Sequence, residues 1–159
     1  MSAYELDLET RAETGSSGGS EVTMNYVEVI ETVISSLQQD QSAMVSHDET
    51  GGYLWKFKYG SVEVFVQLLG TSDEDTLNVW SPILKLPVTN EATLVRKLME
   101  MNWGSTFEAR FAIVDNQVVV CAQRTLAELS PAEVSRNITI VATIADDNDE
   151  TLQAEFPAS

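Results

Sequence analysis

From Tyr26 to Leu37 the apolar positions Tyr26, Val27, Ile30, Val33, Ile34 and Leu37 recur every three or four residues and form one stripe. That period marks an amphipathic helix. Asn25 stands where an N-cap belongs, and Glu28 follows three residues later as a capping box requires. A helix is predicted over 25–39. The period then changes to two. A short strand near Ala43–Asp48 is followed by Gly51-Gly52, and Tyr53, Trp55, Phe57 and Tyr59 alternate with Leu54, Lys56 and Lys58. Gly60-Ser61 is a turn signal. Val62, Val64, Val66 and Leu68 share the next strand face. Gly70–Asp75 reads as a polar, acidic loop. Leu77–Leu86 reads as extended, but Pro82 removes a ladder donor and predicts an edge or broken strand.

A second helix is predicted over 90–103. Thr89 or Asn90 can cap it, Glu91 suits its positive start, and Gly104 marks its stop. A hairpin follows over 106–123. Phe107, Ala109, Phe111 and Ile113 share one face, and Asp115-Asn116 makes a two-residue turn of types that tolerate positive φ. The last element starts at Ser130-Pro131-Ala132-Glu133, which combines a Ser cap, Pro at the first helical position and Glu at the third. The run Asn137–Ile144 is rich in β-branched residues and pulls toward strand. The capping signal decides for a helix to about residue 152.

Together these elements predict an α+β domain. Three helices accompany an antiparallel sheet of about five strands, in the order α-β-β-β-α-β-β-α. Residues 23–157 form this single domain. Residues 1–22 read as an acidic, flexible tail, since Gly15–Ser20 has linker composition. Within the tail, Tyr4, Leu6 and Leu8 alternate with Glu5, Asp7 and Glu9. That is a strand period too short to fold alone. It also fits a short linear motif that adds to a sheet edge.

At this point the chain resembles the YbjN-like family, on Leu94-Val-Arg-Lys-Leu-Met-Glu-Met-Asn102 and Phe107-Glu-Ala-Arg-Phe-Ala-Ile-Val-Asp-Asn-Gln-Val-Val-Val120. Leu126-Ala-Glu-Leu129 then leads into the final helix. The resemblance covers about residues 24–155 and is carried by apolar patterning plus an Asn at a helix end. It implies a fold like that of type III secretion chaperones and a regulatory role without an agreed chemistry. Those chaperones are commonly dimeric, so the resemblance also implies a homodimer.

Charge narrows the choice of partners. Nine Lys and Arg stand against 25 Asp and Glu, a net −16. Such a field repels phosphate backbones and anionic lipid heads, so neither nucleic acid nor membrane is an expected partner. It favours basic protein partners. The single cysteine, Cys121, allows no internal disulfide. No apolar run approaches membrane-spanning length, and the acidic start lacks a signal-peptide pattern. Cytoplasmic placement is the expectation.

Catalytic chemistry finds few footholds. The one histidine, His47, sits beside Asp48 and Glu49, and any triad would have to use it. Cys121 lies in an apolar strand, where a thiol is ordinarily packing. Asp73–Asp75 and Asp146–Glu150 lack the spacing of a calcium loop, so no metal and no cofactor is expected. The reading is a non-enzymatic protein-binding module, chaperone-like or regulatory, with an apolar groove and an acidic rim. The alternatives are a small carboxylate- or His47-dependent hydrolase or transferase, or a ligand sensor with an aromatic-lined cavity. Tyr53, Trp55, Phe57, Tyr59 and Trp80 are the candidate partner-binding residues. The stripe from Tyr53 to Tyr59 can also be core beneath the helices. Leu94, Leu98, Met99 and Met101 are the candidate dimer interface, offering an adaptable apolar surface.

Overall fold

A computed structural model describes residues 24–159. Three helices are described, α1 (Tyr26–Leu37), α2 (Glu91–Gly104) and α3 (Pro131–Glu155). Six strands accompany them, β1 (Met44–His47), β2 (Gly52–Tyr59), β3 (Val62–Leu69), β4 (Thr76–Lys85), β5 (Arg110–Val114) and β6 (Gln117–Thr125). The strands form one antiparallel sheet in the order β1-β2-β3-β4-β6-β5. The predicted class and element order hold. The sheet has six strands because the short run before Gly51 pairs fully with β2, Met44 opposite Lys56 through His47 opposite Tyr53.

Local signals explain most boundaries. The Asn25 side chain accepts the Glu28 N–H at the start of α1. Ser130 Oγ accepts the Glu133 N–H, and the Glu133 carboxylate accepts the Ser130 N–H, so two orphan donors are satisfied reciprocally. With the start of α3 fixed in this way, the β-branched run Ile138–Ile144 stays helical and points Ile138, Val141 and Ile144 into the core. Asp115 and Asn116 turn the β5–β6 hairpin at φ 48° and 61°. Asn90 precedes α2 at φ 57° and makes no side-chain cap.

The core lies between one sheet face and the helices. Trp55 and Phe57 of β2, Val62, Val64, Val66 and Leu68 of β3, Leu77 and Val79 of β4, and Val118 and Val120 of β6 are buried with Ile30, Ile34, Val134, Val141 and Leu152 of the helices. The alternate residues of the same strands, including Lys56, Phe65, Trp80 and Cys121, stay partly exposed on the opposite face.

Pro82 does not mark an edge. β4 runs through the middle of the sheet, between β3 and β6. Two features accommodate the proline. The register with β6 shifts between Pro82 and Leu84, a local irregularity that absorbs the missing donor. On the other side, the ladder to β3 runs from Leu77–Leu68 to Trp80–Phe65 and stops there. The Glu63 carbonyl, two residues further along β3, accepts the hydroxyl of Ser81 at 2.6 Å. Ser81 is fully buried. Its hydroxyl therefore supplies a donor next to the one proline lacks. Ser81→Ala is expected to cost about 0.5–1.5 kcal/mol by removing this hydrogen bond, measured by denaturant unfolding. A loss within experimental scatter of zero would show that the bond does not hold the bulge.

Candidate functional site

The candidate partner-binding residues divide between the two sheet faces. Trp55 and Phe57 are 2% and 1% exposed. Tyr53 and Tyr59 are partly buried and pack against the same core. Tyr53 stacks on Trp55 with ring centroids 5.3 Å apart, and Trp55 Nε1–H donates to Glu31 of α1. The register explains this placement. Tyr53, Trp55, Phe57 and Tyr59 stand opposite Leu68, Val66, Val64 and Val62, all buried beneath the helices. Trp55 and Phe57 are thus core residues and present no surface in this fold. Trp80 is different, because it lies on the opposite face and remains partly exposed.

Around Trp80 the register aligns one row across the sheet, from Lys56 through Phe65, Trp80 and Cys121 to Arg110. Phe65 and Trp80 stack at 5.3 Å with ring planes 8° apart. A shallow recess of about 260 Å³ beside them is lined by Trp80, Val114, Val119, Cys121, Arg110 and Gln123, among others. Burial pushes the Cys121 thiol above its ordinary pKa, with nearby Arg110 pulling it partly back. It is kept as a thiol, which fits packing better than nucleophilic work.

One end of the sheet is acidic. The turn after β1 carries Asp48 and Glu49, and the loop after β3 carries Asp73, Glu74 and Asp75. Both loops lie at the same end, because β1 and β3 finish where β2 and β4 begin. The Thr50 hydroxyl, then the Gly52 N–H, hold the Asp48 carboxyl below its usual range. The Ser72 hydroxyl and N–H do the same for Asp75. Both acids therefore stay charged well into the acid range while organising their own turns.

His47 lies at the end of β1, its ring 5.8 Å from that of Tyr53, beside a recess of about 230 Å³. Asp48 Oδ1 is taken by the Thr50 N–H and hydroxyl and the Gly52 N–H. It orients no imidazole. A further recess, of about 420 Å³, is lined by Pro82–Lys85, Val88, Gln117, Gln153, Phe156 and Ala158. Among the described residues no three His, Cys, Asp or Glu side chains gather as a metal cluster. Among them, too, no helix is long and apolar enough to cross a membrane.

The candidate interface residues also divide. Leu94 and Leu98 are buried in the chain's own core, and Met101 packs partly against it. Met99 is 66% exposed. The outward stripe of α2 is Val95, Met99 and Trp103, spaced by four residues, and Trp103 is 94% exposed. In the turn after α2, Phe107 is 78% exposed and held at φ 52°. The hairpin predicted from residue 106 therefore begins four residues late, at Arg110. Arg136 makes a bidentate pair with Glu108 and lies 6.0 Å over the Phe107 ring. A bulky residue at positive φ is strained, so this pairing holds an aromatic outward against a local cost. The sequence pattern placed Phe107 on a strand face and did not assign Trp103 to the interface. The signal available for Trp103 was its i, i+4, i+8 spacing with Val95 and Met99, about 100° round the helix from the Leu94 and Leu98 stripe.

The comparisons with known proteins agree with this architecture. A search of the curated proteins finds no match. Among solved structures, a chain of "Crystal Structure of the ExsC-ExsE Complex" superposes with a TM-score of 0.57 at 19% identity, over 82% of this chain and 96% of that one. At that identity the likeness is one of fold, helices packed on one antiparallel sheet. The family model "YbjN: Putative bacterial sensory transduction regulator" matches residues 26–154. That span takes in all three helices and all six strands apart from the last residue of α3, and the chain belongs to the YbjN family.

Proposed function

We propose that the domain is a non-enzymatic protein-binding module, chaperone-like or regulatory, that acts in the cytoplasm as a two-fold dimer. The observation that carries this reading is the outward stripe of α2, with Met99, Trp103 and Phe107 held exposed on a chain of net charge −16. Large exposed aromatics are costly to leave in water and are enriched where proteins meet. A two-fold contact would cover the stripe with its own copy. The dimer thus keeps its place on the second helix, with Met99 joined by Val95 and Trp103 in place of Leu94 and Leu98. The ExsC–ExsE complex, one chain of which shares this fold, supports a protein partner.

The partner segment docks on the uncovered sheet face around Phe65 and Trp80. The acidic loops Asp48–Glu49 and Asp73–Asp75 form the rim at one end and select basic flanks. The test uses extended apolar peptides with Lys/Arg or Asp/Glu flanks. Lys/Arg-flanked peptides should bind more tightly, Trp80→Asp should weaken binding at least about tenfold, and His47→Ala should leave it unchanged. Equal binding by the native chain and Trp80→Asp would remove this face from the account.

A further inference from the structure

On a chain of net charge −16, the uncovered sheet face has the opposite sign. Cross-strand partners share a face, so the register places Lys56, Lys58, Lys85 and Arg110 on the same side as Trp80. Among the strand residues there, Glu63 is the one acid, and Lys56 holds it at 3.2 Å. Arg96, Arg124 and Arg136 each pair with a glutamate. Arg110 is exposed and makes no ion pair among the described residues. On a chain with 25 Asp and Glu, this arginine is kept clear of the protein's own carboxylates. Trp80 and Arg110 stand on either side of Cys121, two strand spacings or roughly 10 Å apart. Cys121 is much the shorter side chain, so the surface dips between them, and the recess of about 260 Å³ lies there. Asn78 and Gln123 add amides to its wall. Burial raises the pKa of the Cys121 thiol, so the floor is neutral and does not repel an anion.

We propose that this recess receives a carboxylate side chain, Asp or Glu, from the partner segment. The inference rests on the reading that the segment lies on this face, and it names the chemistry of the segment's centre. The Arg110 guanidinium offers a planar fork of N–H donors that matches a carboxylate. The Trp80 ring packs against the stem of the acid, and Trp and Arg are the residue types that concentrate binding energy at interfaces. The acidic loops fix the rest of the pattern. From Trp80 to Thr76, where the loop carrying Asp73–Asp75 joins β4, is four residues of strand, roughly 13 Å. One extended segment can therefore set a basic residue at the acidic rim and, about four residues away, an acid at Arg110. A polyanion such as nucleic acid fits poorly, because its next phosphates would run into those loops and the chain's overall field. A single carboxylate followed by a basic flank meets attraction at both ends.

Fluorescence anisotropy with the full native chain tests it. The probes are two labelled, extended apolar peptides with a Lys pair at one end, differing only in a Glu or a Gln four residues from that pair. The Glu peptide should bind about tenfold more tightly than the Gln peptide. The net charge of the chain acts the other way, since an added acid is repelled overall. Arg110→Gln should remove the preference and leave the affinity for the Gln peptide unchanged. Comparing the two peptides leaves the protein untouched, so a folding defect cannot produce the difference. Equal binding of both peptides by the native chain, with Trp80→Asp weakening both, would overturn the acidic anchor and leave the docking face standing. A preference for Glu that survives Arg110→Gln would also overturn it. Binding of both peptides that ignores Trp80→Asp would remove the face, and the anchor with it.

Discussion

Trp103→Asp should weaken self-association by about 30- to 1000-fold while leaving the monomer's thermal stability nearly unchanged. The side chain is 94% exposed, so the single chain loses almost no burial when it is replaced. In a two-fold contact the same change acts from both copies, and a buried Trp at an interface centre is worth about 2–4 kcal/mol. The charge change works in the same direction, because a chain at −16 gains another negative group at the contact. Sedimentation velocity over a concentration series measures the shift, and a melting curve checks the fold. A variant that associates like the native chain would show that α2 is not the contact. A variant that melts far lower would show that Trp103 supports the monomer after all.

Phe57→Ala should do the reverse. Phe57 is 1% exposed and packs in the layer between sheet and helices. Removing a buried Phe costs roughly 3–5 kcal/mol in lost transfer and cavity formation. That is a large fraction of a domain stability of about 5–15 kcal/mol. The melting temperature should drop by about 10 °C or more. Partner binding by the remaining folded fraction should be unaffected. A stable Phe57→Ala chain with weakened binding would mean that the Tyr53–Tyr59 stripe is a surface, against its placement here.

These two residues show what the pattern could and could not reveal. Periodicity identified the elements, because a stripe of period two or 3.6 follows directly from strand and helix geometry. The capping box at Ser130 outweighed the strand-like run that follows it, since two reciprocal hydrogen bonds fix the first turn. Periodicity could not say which face of a strand meets the helices. Trp55 and Trp80 looked equivalent in sequence. Pairing with Val66 buries the first, while pairing with Phe65 leaves the second on the uncovered face. Leu94 and Met99 looked like parts of one surface because α2 is apolar on more than one side. The packing of α2 beside β5 and its Lys97–Glu155 link to α3 decide which side turns inward. Pro82 misled because a lost donor normally means an edge. The Ser81 hydroxyl next to it was visible in sequence, but its aim at the Glu63 carbonyl was not. Phe107 was hidden for a different reason, since positive φ at a Phe is rare and the Arg136–Glu108 pair beside it comes from 28 residues away.

The dimer on α2 is the central claim, and light scattering on the native chain at high micromolar concentration, at low and at moderate salt, tests it most directly. A surface charge of −16 opposes the approach of a second copy, and salt screens that repulsion over about 10 Å at 0.1 M. The account predicts the mass of two chains at moderate salt, with some dissociation as salt is lowered. The mass of one chain at both salt concentrations would contradict it.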